Sequence, residues 1–313
     1  MRRVNLLNNL PHKISKMPEP VNKYKIALIT CYFGQAPWYF KLFLKSCAYN
    51  PGVHFYVIGD LEISHPLPEN VYHVSMNISE FETLASQKLA MPVNVANPYK
   101  LCDLKPAYGV IFDDFLMNYD FWGHGDLDVI FGDIRGFITN KILDSYEVIC
   151  VREEYITGFF SLFKNIPFVN ELFKLSKDHR KVFTSADHYC FDECNFAWIP
   201  LMEGLSIFDI KTPIESMTHI VKKLAAEGKI KAHFNFMVIE GLCGQMEWNT
   251  GSLYYANKAE AILYHLIKFK KQPDLIKPQW DVIPDIFFIE RNYFLKNDPA
   301  SADGLLETQN LLK

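Results

Sequence analysis

No run of about 18 apolar residues occurs anywhere in the sequence, so no segment is long enough to cross a bilayer as a helix. There is no CxxC pair. The seven cysteines fall singly at 31, 47, 102, 150, 190, 194 and 243, and the Cys190/Cys194 spacing alone is poor evidence for zinc. An odd number of scattered thiols is expected to stay reduced, as in a cytosolic protein. The first twenty residues lack the apolar core of a signal peptide. Neither sign of charge dominates: 32 Lys and Arg against 36 Asp and Glu leave a net charge of −4, which argues against a nucleic-acid partner. An anionic ligand must therefore be met locally, by Lys, Arg or a metal. No internal repeat or low-complexity linker interrupts the chain.

What is present is apolar and aromatic. Of 313 residues, 49% are hydrophobic and 15% aromatic, enough for a sizeable core. Residues 1–22 are polar, with prolines at 11, 18 and 20, and read as a flexible leader. "KYKIALITCYF" predicts a buried first strand, and Gly34 and Pro37 punctuate the turn after it. "WYFKLFLKSCAYN" has helical periodicity and stops at Asn50-Pro51-Gly52; "VHFYVIGD" and "VYHVSM" predict two more strands. This alternation implies βαβ units and an α/β protein with a mixed, mainly parallel sheet.

Ser79 to Ala90 predicts a helix capped by Ser79, with Glu82 at the capping-box spacing. "PYKLCDLKPAYGVIFDDFLMNY" predicts a further helical segment and "DFWGHGDLD" a strand. In the second half, "YEVICV" and "ITGFFSLFKN" read as strands, while "NIPFVNELFKLSK" and "SADHYCFDECNFAWIP" carry helical spacing. From Lys229 to Phe269 strand-like runs alternate with turns at Gly241, Gly244 and Gly251. The expected division is residues 1–22 as leader, 23–272 as one domain and 273–313 as a C-terminal extension.

The chemistry concentrates at Asp126-Leu127-Asp128, where an apolar aromatic run meets glycines. At the carboxyl end of a strand in an open α/β sheet, side chains enter the crevice where ligands bind. Two hard oxygen donors there suit Mg²⁺ or Mn²⁺ with substrate phosphate completing the shell. A solvated acidic turn is the plain alternative, since about one D-x-D triplet is expected by chance in such a chain. A haloacid-dehalogenase phosphatase also places D-x-D after a strand, but it wants an apolar run directly before the first Asp, where this chain has "GHG". Late in the chain His265 leaves an apolar run and is followed by Lys268, Lys270 and Lys271. A neutral imidazole can complete a Mn²⁺ shell, and an ammonium can meet phosphate.

The stretch "SADHYCFDECNFAW" holds Asp187, His188, Asp192 and Glu193. One of its carboxylates could act as general base toward an acceptor hydroxyl, or all could form the outer face of a helix. Gly158 reads as a turn glycine or as a place of close backbone approach. Trp38, Trp122, Trp198 and Trp248 are candidates for a sugar-stacking platform against a prior of core packing.

The "ITCYFG" loop, the "KLCDLKPAYGVIF" segment leading to D-x-D, and the late His-then-Lys order resemble a GT-A-fold glycosyltransferase, in particular glycosyltransferase family 8 and its relatives. "YKLCDLKPAYG" and "GHGDLDVIFGDI" are similar to an uncharacterised group of bacterial polysaccharide-locus transferases. The likeness spans Lys25 to Lys271. It implies a Rossmann-like GT-A sheet flanked by helices. It also implies a nucleotide-sugar donor, expected to be a UDP-sugar, and Mn²⁺ or Mg²⁺ as cofactor. Asp126, Asp128 and His265 would be the metal ligands, and Thr30, Tyr32, Phe33 and Gly34 would hold the nucleotide. Asp103 and Lys105 would lie near ribose, sugar or phosphates, and Lys268 and Lys271 would meet phosphate. Family 8 chains place Gly and then Lys-Pro-Trp after the histidine; "HLIKFKKQP" departs from that, which leaves open which lysine serves.

The resulting expectation is a metal-dependent hexosyltransferase of polysaccharide synthesis, with Asp187, Asp192 and Glu193 as candidate catalytic acids. A glycan or lipid-linked glycan would be the acceptor. The expected place is cytoplasmic, with peripheral contact at the inner face of a membrane. A nucleotidyltransferase of related fold is one rival, although "TCYFGQAP" lacks the glycine-rich basic loop it would need. A non-catalytic glycan-binding protein is the other.

Overall fold

The computed structural model describes residues 23–63, 66–256 and 258–311. The expected leader, residues 1–22, lies outside them.

The fold is mixed α/β. Its main sheet is built from β1 (Ile26–Cys31), β2 (His54–Gly59), β3 (Val71–Ser75) and β4 (Phe121–Gly125). A short β5 (Val129–Phe131) follows, then β6 (Val148–Cys150), β7 (Phe160–Lys164) and β8 (Ala232–His233). The seven-stranded order is β3-β2-β1-β4-β7-β6-β8, with β5 outside it. The first four strands are mutually parallel, β7 runs antiparallel to both β4 and β6, and β6 and β8 are parallel. A mainly parallel sheet flanked by helices is as expected, and is consistent with a Rossmann-like GT-A fold.

Alternation along the strands explains why they read as unbroken apolar runs. Ile26 and Leu28 face one core while Ala27 and Ile29 face the other; on β4, Phe121 and Trp122 divide in the same way. With both faces covered, Ile26 to Thr30 of β1 and all of β4 are buried. Helix α1 (Phe40–Ala48) covers the first face with Phe40, Leu42, Phe43 and Leu44. Each such side chain stabilises by roughly 1.5–3 kcal/mol when fully buried.

The second face carries α2 (Ile78–Leu89), α3 (Lys100–Leu104), α4 (Tyr108–Ile111) and the later helix Met217–Ala226. Two expectations need correction here. The capping box of α2 is Asn77 with Glu80, not Ser79 with Glu82: the Asn77 side chain accepts from Glu80 N, and Glu80 accepts from Asn77 N. Asn is at least as good an N-cap as Ser, and the helix starts two residues earlier than a Ser79 cap would allow. The segment from Pro98 to Tyr119 is not one helix, because Pro106 tightens it to a 3₁₀ turn over Lys105–Ala107 between α3 and α4.

The second half adds β9 (Val238–Glu240), β10 (Met246–Asn249), β11 (Ser252–Tyr255), β12 (Ala259–Ala261), β13 (Leu263–His265), β14 (Ile286–Ile289) and β15 (Phe294–Leu295). Five form the sheet β12-β11-β10-β14-β15, so residues beyond 272 are hydrogen-bonded to those before it. The remaining sheet, β5-β13-β9, has three strands. Trp248 Nε1 donates to Phe131 O at 2.9 Å and joins the smaller sheets. Among the described residues no helix is long and apolar enough to cross a membrane. None of the seven cysteines is disulfide-bonded.

Candidate functional site

The carboxyl ends of β1 to β4 share one edge of the sheet, the place where ligands enter open α/β folds. β4 ends at Gly125 and the chain bends through Asp126, Leu127 and Asp128 before β5 begins. β13 pairs antiparallel to β5 with His265 opposite Val129, and Leu266 N donates to Asp128 O at 2.8 Å. That register sets the late histidine beside the acid pair. Ligand atoms of Asp126, Asp128 and His265 all lie within 4.8 Å of one another, and His265 Nε2 is 3.5 Å from Asp128 Oδ2.

Partners around this trio fix each group. β9 runs parallel to β13 and puts Glu240 opposite His265. Nδ1 of the imidazole meets Glu240 Oε1 at 2.9 Å, and Arg152 holds the other Glu240 oxygen at 2.7 Å. The ring stacks on Phe159 at 4.3 Å. Burial disfavours a charged imidazole, but Asp128 and Glu240 outweigh it and raise the His265 pKa to about 9. Burial also opposes the Asp128 charge, yet His265 and Lys270 hold its pKa below the ordinary carboxylate range. The position thus favours positive charge. The donor set, two carboxylate oxygens and one imidazole with its outer nitrogen oriented by a carboxylate, is one a divalent ion accepts.

Two lysines reach the acids. Lys270 Nζ donates to Asp128 Oδ2 at 2.7 Å, from a 3₁₀ turn, Phe269–Lys271, that folds it back over Leu266. Lys105 Nζ donates to Asp126 Oδ1 at 2.6 Å and to Gly158 O at 3.0 Å, and lies 3.7 Å from Asp192 Oδ2. Burial works against the Lys105 charge, but Asp126 and Asp192 hold its pKa well above the usual value. Lys268 and Lys271 are exposed on the outer side of the same turn as Lys270.

The β1 loop lies along the same edge. Tyr32 N donates to Ile58 O at 2.8 Å, and Gly34 N to Asp60 Oδ1 at 2.6 Å. Tyr32 crosses so close to β2 that a Cβ on Gly59 would stand 1.7 Å from its carbonyl oxygen, hence glycine there. Thr30 is buried with its Oγ1 unpartnered, and Phe33 packs edge-on against Phe81.

Residues 185–197 are not a helix. Left-handed backbone at Cys190, Asn195 and Phe196, with φ between +50 and +63°, turns the chain instead. The periodicity that suggested a helix comes from residues this winding buries: Phe191 in the core that holds α3, and Cys194 and Ala197 in a small cluster with Tyr155, Leu201 and Ile207. Asp103 organises it: fully buried, it accepts from Lys100 Nζ and from the backbone N–H groups of Tyr189 and Phe191. Asp192 is 2% exposed, with Oδ1 unpartnered. Glu193 accepts from Gly158 N at 2.7 Å and Trp198 Nε1 at 2.6 Å. Asp187 is exposed, and its carbonyl receives Lys100 at 2.7 Å. What approaches Gly158 is this acid pair, since a Cβ there would lie 2.4 Å from Asp192 Oδ2.

Of the tryptophans, Trp122 and Trp248 are core, stacked on Phe163 and Phe287, and Trp38 packs against Tyr39 and Phe294. Trp198 alone of these four touches a candidate acid. A separate hollow of about 570 Å³ between Leu275, Trp280, Phe294 and Leu311 gathers no such set of donors. Sequence reasoning missed Glu240, Arg152 and Phe159, and passed over Lys270 for its neighbours. The spacing Leu266 to Lys270, four residues as in a turn, was the signal for the lysine.

No curated protein matches this sequence. Among solved structures, the apo form of mouse xyloside xylosyltransferase 1 is similar over 77% of this chain and 97% of that one, at 9% identity and a TM-score of 0.39, a likeness too distant to argue from. A family model described as "Family of unknown function (DUF6625)" matches residues 28–298, most of the chain, and this protein belongs to that family.

Proposed function

We propose that this protein is a metal-dependent glycosyltransferase that moves a sugar from a nucleotide-diphosphate donor, expected to be a UDP-sugar, to a glycan or lipid-linked glycan acceptor. The observation that carries the reading is the meeting of Asp126, Asp128 and His265 at the carboxyl edge of a mainly parallel sheet. Their two carboxylates and one imidazole suit Mn²⁺ or Mg²⁺. When bound, such an ion supplies positive charge to a departing diphosphate.

The chain's own groups complete the assignment. Lys105 and Lys270, ion-paired to the acids, are the ammoniums nearest to where phosphate oxygens would lie, with Lys268 and Lys271 outside them. Thr30, Tyr32, Phe33 and Gly34 would take the nucleoside. Asp103 would act by holding the 185–197 loop against the sugar position, and one of Asp187, Asp192 and Glu193 would receive the acceptor hydroxyl's proton. A cytoplasmic location at the inner face of a membrane, and a role in polysaccharide synthesis, belong to the same proposal.

A panel of nucleotide sugars incubated with the protein, with and without Mn²⁺, tests it by the nucleotide released. Mn²⁺-dependent release from one donor is the expected result. Pyrophosphate release from a nucleoside triphosphate would move the reading to nucleotidyl transfer. Glycan binding with no thermal shift from Mn²⁺ and UDP would move it to a binding protein.

A further inference from the structure

We infer that Asp103, His188 and Asp192 form a second divalent-cation site, suited to Zn²⁺, distinct from the Asp126/Asp128/His265 centre and independent of the glycosyltransferase reading. One potential ligand atom from each lies within 4.8 Å of those of the other two. Two polar atoms of the trio, His188 Nε2 and Asp192 Oδ1, are buried with no hydrogen-bond partner. Native proteins rarely leave such atoms unsatisfied, and each instance calls for a missing partner.

Asp103 has one acceptor position to spare. An ionised carboxylate offers about four. Lys100 Nζ and Tyr189 N, both at 2.9 Å, use those of Oδ2, and Phe191 N at 2.8 Å uses one on Oδ1. Tyr189 N reaches Oδ1 only as a longer 3.2 Å branch of the same bond. The oxygen with spare capacity is therefore Oδ1, and it faces His188 Nε2 at 3.9 Å.

Charge points the same way. Asp103, Asp192 and Glu193 set three carboxylates against the ammonium of Lys100 and that of Lys105, which Asp126 shares, an excess of negative charge that a cation would offset.

One nitrogen and two oxygens match Zn²⁺, which takes three protein ligands at about 2.0–2.2 Å and an open fourth position. Ligands on one tetrahedral ion stand roughly 3.4 Å apart, so the trio must close slightly. That movement falls on His188, whose side chain is 23% exposed on irregular backbone. An ion there would pin the 185–197 loop to α3.

The test counts zinc retained by the full chain after chelator stripping, reloading and gel filtration. The unsubstituted protein should keep two equivalents. His188→Gln and Asp192→Asn should each keep one, and His265→Gln should keep one through the second site. Zinc X-ray absorption of the His265→Gln protein should then show an imidazole in a nitrogen and oxygen shell. Full retention by both His188→Gln and Asp192→Asn overturns the second site. Loss in those two with none in His265→Gln upholds it and removes the metal from the first centre. Should both variants fail to fold, the His265→Gln spectrum decides, and absence of bound zinc or of an imidazole ligand overturns the site.

Discussion

The two carboxylate clusters on either side of Lys105 are built differently. Asp126, Asp128 and His265 stand at the ends of strands, placed by the β4 ladder and by the pairing of β5 with β13. Asp103, His188, Asp192 and Glu193 stand on a short helix and a loop with three left-handed residues. In the first, each acid meets a lysine. In the second, backbone N–H groups take up much of the carboxylate capacity. Register positions one cluster and buried hydrogen bonds position the other, so the two should break in different ways.

The sharpest separation comes from Asp128→Asn. Any Mn²⁺-dependent turnover should fall to background while the 185–197 loop keeps its protection against amide exchange; preserved turnover would make the acid pair structural. Next is Asp103→Ala, which leaves Lys100 buried without its partner and two backbone donors unpaired. Removing one member of a buried pair costs about 3–5 kcal/mol, measurable by urea unfolding, and a near-neutral result would deny the clamp. Gly158→Ala should cost about 1–3 kcal/mol as an overpacked site, because the new methyl meets Asp192 Oδ2. If its melting temperature is unchanged, the two clusters are less tightly joined than the distances imply.

The smallest effect concerns the regular side alone. Asn77→Ala should cost about 1 kcal/mol by loss of the cap, and Ser79→Ala, inside the first turn, much less. The reverse ranking would restore the cap that the sequence suggested.

That contrast also governs how much was legible. β1, β2, β4 and α1 were readable because burial on both faces, or on one helical stripe, leaves a trace in the residues themselves. His265 was readable as a ligand only when joined to the acid pair, and its meeting with Asp128 depends on a pairing between distant strands. Glu240 left no trace, because its place beside His265 exists only in the β9–β13 register. The 185–197 loop misled. Cys190, Phe191, Cys194 and Ala197 are buried at helix-like intervals, yet left-handed turns and the Asp103 carboxylate produce that spacing without a helix. Local pattern reports burial, and tertiary hydrogen bonds decide the backbone that achieves it.

Lys105 sits 2.6 Å from Asp126 and 3.7 Å from Asp192, and a single ammonium cannot neutralise both. A cation arriving at Asp126 competes for the oxygen that Lys105 now holds and frees the ammonium to lean toward Asp192. A cation arriving at Asp192 does the opposite. Occupancy on one side must therefore change affinity on the other, and thermodynamic reciprocity requires the factor to be equal in both directions. With cations at both clusters, Lys105 would make the edge of this sheet a linked pair of binding equilibria.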